Sequence, residues 1–214
     1  MKLSKHAFLI IFYEIIVASG LLAGAYFVWL FKPLVVLWVL FMAFTLYFFR
    51  DPDRNGERDE NKIICPADGV ILAVDEEVDE PYFFKERVKR ISIFMSLFNV
   101  HVNRAPLTGK VEMLKHYPGK FFNASFDKAS KYNEHTFILI NTGADYIGVK
   151  QIAGFVARRI VTDIRVGDEI SQGQRIGMIR FGSRVEVFYK FDFNAKVKPG
   201  DKVKAGLTVL GEKK

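Results

Sequence analysis

Apolar residues fill the first 49 positions almost without interruption, and the pattern then changes to short alternating runs punctuated by glycine. Residues 7–31, AFLIIFYEIIVASGLLAGAYFVWLF, are apolar apart from Glu14 and a few small polar residues. As a helix, that length crosses a hydrocarbon layer of roughly 30 Å. Lys32-Pro33 breaks the run, and residues 34–49, LVVLWVLFMAFTLYFF, form a second stretch that spans only about 24 Å as a helix. Together they predict an N-terminal helical hairpin, residues 1–49, that anchors the chain at a membrane. A cleaved leader is the alternative, because MKLSKH is a basic start and Ala23-Gly24-Ala25 a small-residue site. Glu14 within the apolar run, and the continuation of that run to Phe49, argue for retention. Lys2 and Lys5 before the hairpin, with Arg50, Arg54 and Arg58 after it, predict both ends in the cytoplasm.

Residues 50–61, RDPDRNGERDEN, read as a charged linker, and residues 62–214 as a domain of short strands. Pro66-Ala67-Asp68-Gly69 is a turn leading into the strand Val70–Val74, and Val88–Met95 alternates charged and aliphatic residues. Segments 107–118 and 136–161 read as further strands, and 121–133 as a loop or short helix. Near the C-terminus the frame G-D-x-[IV]-x-x-G occurs twice, beginning at Gly167 and at Gly200. Each copy predicts a tight turn and a short strand. The frame resembles the half-repeats of biotinyl/lipoyl-like barrels, so the expected fold is mainly β (α+β), with barrel-type hairpins behind an N-terminal helical hairpin.

Charge and composition narrow the chemistry. The formal charge of the 214-residue chain is +7, and 28 basic against 23 acidic residues lie beyond position 49. That bias suits an anionic membrane surface or a phosphate-bearing substrate, and no nucleic-acid motif accompanies it. Cys65 is the only cysteine, which excludes an internal disulfide. With four histidines and neither C-x-x-C nor H-E-x-x-H, no bound metal is expected.

The candidate chemistry centres on Arg180-Phe181-Gly182-Ser183-Arg184, set between two strand-like runs. Glycine reaches conformations closed to other residues, which lets the Ser183 hydroxyl approach the Gly182 carbonyl. Attack there moves the acyl group from nitrogen to oxygen. Loss of the ester by β-elimination leaves dehydroalanine, which hydrolyses to a pyruvoyl group. That ketone is an electron sink made from protein alone. The plain alternative is a Gly-Ser turn or bulge. A hydroxyl nucleophile needs a base oriented by a carboxylate. Asp68, on its turn, and His101, in the run ending at Pro106, are candidates. His116, in Lys115-His116-Tyr117-Pro118-Gly119, is the other histidine to weigh.

Six ordered segments carry a resemblance that covers the chain from about residue 48 to its end. They are Phe48-Phe49-Arg50-Asp51-Pro52, Pro66-Ala67-Asp68-Gly69, Phe98-Asn99-Val100-His101-Val102-Asn103-Arg104-Ala105-Pro106, Tyr117-Pro118-Gly119-Lys120-Phe121, Gln151-Ile152-Ala153-Gly154 and Arg180-Phe181-Gly182-Ser183-Arg184. Together they resemble the short prokaryotic class of phosphatidylserine decarboxylase. The resemblance implies self-cleavage between Gly182 and Ser183, giving a β-chain of residues 1–182 and an α-chain of residues 183–214 that stay together as a heterodimer. It implies a covalent pyruvoyl group from Ser183 that forms a Schiff base with phosphatidylserine and releases phosphatidylethanolamine at the cytoplasmic face of the cell membrane. Asp68 matches the acid of the self-processing Asp-His-Ser set, and His101 a histidine near the pyruvoyl group. Longer members of the family carry two histidines spaced H-x-x-H where this chain carries one. Either His101 serves both steps or His116 supplies the second imidazole. Arg184 is a further candidate, for the substrate's phosphate or carboxylate, against the plain reading of a solvated strand arginine.

Three other readings remain at this level. The same chemistry suits another serine phospholipid, such as an ether-linked archaeal analogue. Asp68, His101 and Ser183 also fall in a permitted hydrolase order, though G-x-S-x-G is absent around Ser183. The paired Gly-Asp hairpins suggest a non-enzymatic lipoyl-like adaptor, for which Lys202 is poorly placed just past its turn.

Overall fold

The computed structural model describes residues 2–27, 29–56, 58–79, 87–155, 159–180, 182–190 and 192–213. The chain divides into two units, Met1–Asp53 and Arg54–Lys214.

In the first unit a 3-10 turn, Lys5–Ala7, runs into helix α1, Phe8–Phe27. A second turn, Trp29–Phe31, leads to α2, Lys32–Phe48, which begins with Pro33 where a missing N–H is harmless. Among the described residues one stretch, Lys5–Gly24 with mean hydropathy 2.1, is helical, long and apolar enough to cross a membrane; α2 is shorter. Glu14 is buried between the helices. Thr45 Oγ1 donates to Glu14 Oε1 at 2.6 Å, and Trp38 Nε1 donates to the Glu14 carbonyl at 2.9 Å. The acid that interrupts the apolar run thus forms a polar tie between the two helices. The ends of the hairpin lie side by side, with Asp51 N donating to Lys2 O at 2.8 Å.

The second unit is built from antiparallel strands. They are β1 (Lys62–Ile64), β2 (Gly69–Val78), β3 (Val88–Met95), β4 (Val102–Arg104) and β5 (Gly109–Tyr117), then helix α3 (Asp127–Tyr132), β6 (His135–Asn141), β7 (Tyr146–Ala153) and β8 (Ile160–Thr162). There follow β9 (Glu169–Ile170), β10 (Arg175–Ile179), β11 (Ser183–Tyr189), β12 (Phe193–Ala195), β13 (Lys202–Val203) and β14 (Val209–Lys213). Eight strands form one sheet in the order β13-β2-β3-β11-β7-β6-β5-β9, and two three-stranded sheets, β1-β14-β12 and β4-β10-β8, complete the unit. The expected mainly-β fold behind an apolar helical segment is what the chain adopts.

The repeated Gly-Asp frame is realised as one local structure used twice. Gly167 and Gly200 take φ of +95° and +93°, which a side chain would strain. Asp168 Oδ2 then accepts from Arg165 N at 2.8 Å, and Asp201 Oδ2 from Lys198 N at 2.9 Å. The short strands that follow, β9 and β13, close the two opposite edges of the large sheet.

Strand β11 lies in the middle of that sheet, between β3 and β7, and all seven of its residues are buried. Side chains alternate across a strand, so Ser183, Val185, Val187 and Tyr189 share one face with Met95, Ile93 and Ile91 of β3. That face is the main core, continued by Val149, Ile138, Ile140 and Leu210. The reverse face carries Arg184, Glu186 and Phe188.

Candidate active site

Ser183 opens β11, opposite Met95 on one side and Ala153 on the other. It is fully buried, and its hydroxyl bonds to the thioether of Met95 at 3.3 Å, a weak acceptor. Gly182 before it takes φ +70°. Phe181 lies outside the described residues. Gly154, the residue after β7, makes room for the Gly182 carbonyl: a Cβ there would stand 2.3 Å from Gly182 O.

His101 is also fully buried, just ahead of β4 rather than within it. Its Nδ1 stands 3.0 Å from the Asn99 carbonyl, which accepts only from a protonated nitrogen. That contact assigns the proton to Nδ1 and makes Nε2 the acceptor nitrogen of the ring. Gly182 N–H approaches Nε2 at 3.4 Å, a long contact that fixes the ring beside the Gly182–Ser183 peptide.

Asp68 lies just before β2, and the pairing of Val70 with Phe94, itself opposite Arg184, sets its backbone two strand spacings, about 10 Å, from the start of β11. Its carboxylate is held by Arg54 Nη2 at 2.9 Å and Ala205 N at 2.8 Å. Neither oxygen bonds to His101 or Ser183 among the described residues, so the Asp-His-Ser relay is not joined up in this arrangement. His116 sits on β5, three strands and about 14 Å from β11, half-exposed, with Nδ1 3.1 Å from Thr136 Oγ1.

Arg184 is buried rather than solvated, and its guanidinium sits on the reverse face. Nη2 donates to Ser92 Oγ at 2.9 Å, and Nε lies 2.8 Å from Glu186 Oε1, close enough for an ion pair though off the line of a hydrogen bond. Glu186 also accepts from Ser92 Oγ at 3.3 Å and from Ser130 Oγ of α3 at 2.9 Å. The arginine therefore ties β11 to β3, and the glutamate ties it to α3.

Several residues at the site escape sequence reasoning. Beneath Ser183, Gln151 Nε2 donates to Asn103 Oδ1 at 2.8 Å, and Asn103 Nδ2 reaches Met95 Sδ at 3.7 Å, while Gln151 Oε1 is buried without a hydrogen-bond partner among the described residues. Gly154, Gln151 and Asn103 all stand in the quoted motifs, the only signal that marks them. Nothing in the sequence marks Met95 or Arg54 as neighbours of the site. Cavities of about 580 and 520 Å³ lie beside Tyr189 and beside Arg54, and neither is lined by His101, Gly182 or Ser183. Among the described residues no cluster of three metal-ligating side chains occurs.

A family profile described as phosphatidylserine decarboxylase matches residues 41–211. The chain is 46% identical over 180 residues to a phosphatidylserine decarboxylase proenzyme of Desulfotalea psychrophila, covering 84% of each chain. It is 48% identical over 178 residues to a protein of the same name from Cupriavidus pinatubonensis, covering 82% of this chain and 81% of that one. A third, from Burkholderia mallei, is 47% identical over 176 residues, or 82% of this chain and 80% of the relative. The chain belongs to the phosphatidylserine decarboxylase family, whose members are carboxy-lyases.

Proposed function

We propose that this protein is made as a proenzyme, cuts itself between Gly182 and Ser183, and decarboxylates phosphatidylserine to phosphatidylethanolamine with a pyruvoyl group derived from Ser183. The observation that carries the reading is the meeting of a glycine at positive φ, a buried serine and the Nε2 of a buried histidine at one peptide bond.

In this reading Ser183 Oγ attacks the Gly182 carbonyl carbon while its proton passes to His101 Nε2. The bond to Ser183 nitrogen breaks, that nitrogen takes a proton, and Gly182 becomes an ester of the serine. Removal of the Ser183 Cα proton expels the Gly182 carboxylate from Cβ, and water then displaces the nitrogen as ammonia to leave the ketone. Asp68 is the acid that supports His101, which requires its pair with Arg54 to part. Arg184 and Glu186 hold the strand in register while its first residue is remade. The site suits such a group because Gly154 leaves the carbonyl space and, among the described residues, the hydroxyl bonds only to the weak thioether acceptor of Met95. Once formed, the group supplies an electrophilic carbonyl that engages the substrate amine and accepts the electron pair released with carbon dioxide. His101, left beside it, is the group positioned to hold or return a proton.

The β-chain of residues 1–182 and the α-chain of residues 183–214 then remain associated. The apolar hairpin of residues 1–49 holds the decarboxylase domain, reached through the linker of residues 50–61, at the cytoplasmic face of the membrane where its lipid substrate resides. Intact mass and a denaturing gel test the reading. Two fragments are expected, the smaller starting at residue 183 and lacking a free amine. Ser183→Ala should remain one chain of 24.5 kDa and release no carbon dioxide from the lipid. A wild-type enzyme that is active while unbroken would overturn it.

A further inference from the structure

The row Met95–Ser183–Ala153 marks one end of the large sheet, where β3 and β7 finish and β11 begins. The loops that leave or enter this row share that end. Phe98, in the loop after β3, is 67% exposed, and Phe155, after β7, is 71% exposed. Both are near Gly182. Leu97 Cδ2 lies 4.0 Å from where a Gly182 Cβ would be, and Gly154 packs against the Gly182 carbonyl. A third exposed ring, Phe126, follows Ala124, whose Cβ also meets Gly154. Two arginines belong to the same end by their backbones: Arg180, two residues before Gly182, donates N–H to Arg159 O at 3.1 Å, and burial together with the Arg159 charge pulls the Arg180 pKa below its usual value. One exposed phenylalanine is ordinary. Three of them, from separate segments around one buried peptide and beside two arginines, match the make-up of surfaces that enter a lipid headgroup layer.

We propose that this end of the β-unit docks directly on an anionic bilayer. Phe98 and Phe155 enter the headgroup boundary, and Arg159 and Arg180 face lipid phosphates and carboxylates. The substrate then reaches the Ser183 region without leaving its leaflet. The occupant is a membrane because the cations complement anionic headgroups, because the same chain carries a helix apolar enough to cross one, and because a lipid is the substrate in the reading on which this inference rests.

The full chain, reconstituted into phosphatidylcholine–phosphatidylglycerol vesicles, tests it. Cys65 is buried, with its thiol pushed up to about 12, so single introduced cysteines accept a fluorophore selectively. A label at Phe155→Cys should be quenched by a lipid-phase quencher, and one at Ala144→Cys, on the β6–β7 hairpin at the opposite end of the sheet, should not. Equal quenching at both positions, or none at 155, overturns the proposal. So does a blue shift at 155 that grows with protein concentration in detergent before lipid is added, which would mean that a second copy covers the patch. The double variant Phe98→Ser/Phe155→Ser should still yield both fragments. It should lose about tenfold in decarboxylation of long-chain substrate in vesicles and keep full activity on a monomeric short-chain phosphatidylserine. An equal loss on both substrates, or no loss on either, also overturns it. Wild-type protein that decarboxylates neither substrate would sink the functional reading instead, and the labels would still decide the docking.

Discussion

Strand β11 is buried on both faces, and the two faces are built from different chemistry. On one, Ser183 shares a wall with Ile91, Ile93, Val185 and Val187, and among the described residues its hydroxyl bonds only to a thioether. On the other, Arg184 and Glu186 are fixed by Ser92, by Ser130 and by each other. The backbone is held by charge-assisted contacts from behind, while the group in front is left almost untied. A nucleophile needs both conditions: an accurate position and a lone pair not already committed.

Breaking the front face should have the larger effect. In Gly154→Ala the new methyl meets the Gly182 carbonyl, a backbone atom that cannot swing aside. Cleavage should slow by about 100-fold, read as the rate at which the two fragments appear. On the reverse face, Glu186→Gln removes the buried charge partner of Arg184 and leaves only the exposed Asp127, 3.8 Å from Nη1. In the uncleavable Ser183→Ala background that should cost about 3–5 kcal/mol in urea unfolding, with much of the loss restored by adding Arg184→Met. A smaller effect belongs to His135, next to this face on β6, whose pKa is held below the usual histidine value mainly by burial. The unfolded chain therefore takes up this proton at a higher pH than the folded one. The contribution of His135 is complete above pH 6.5 and is lost as pH falls toward the lower folded value. His135→Gln should flatten that part of the urea midpoint against pH. Smallest is His116→Gln, far from β11 and half-exposed, which should leave fragment formation unchanged and stability within about 0.5 kcal/mol. A variant at 116 that stopped cleavage would move the base away from His101.

The difference between the faces also separates what the sequence discloses from what it hides. The apolar hairpin and the strand pattern are written in composition and alternation, and Val88–Met95 has the same limits as a run and as β3. Ser183 is legible only because a motif surrounds it, since Gly-Ser by itself reads as a turn. Arg184 and Glu186 alternate with valines as exposed charges on a half-buried strand do. Their burial depends on α3, six residues inside a polar stretch, folding back over the sheet. Facing charges on both neighbouring strands, Arg90 and Lys150, were the available hint. The Arg54–Asp68 pair is hidden for another reason: a contact between a linker arginine and a turn aspartate leaves no periodic trace.

The position of Ser183 at the head of a central strand has a consequence for the cleavage proposed above. Residues 183–214 supply β11, β12, β13 and β14, and these lie against β3, β7, β2 and β1 of the preceding segment in two separate sheets. A cut ahead of β11 removes one covalent link and none of those ladders. The short piece is woven through the long one, so neither can leave without dismantling the other's fold. The two pieces should melt as a single cooperative body.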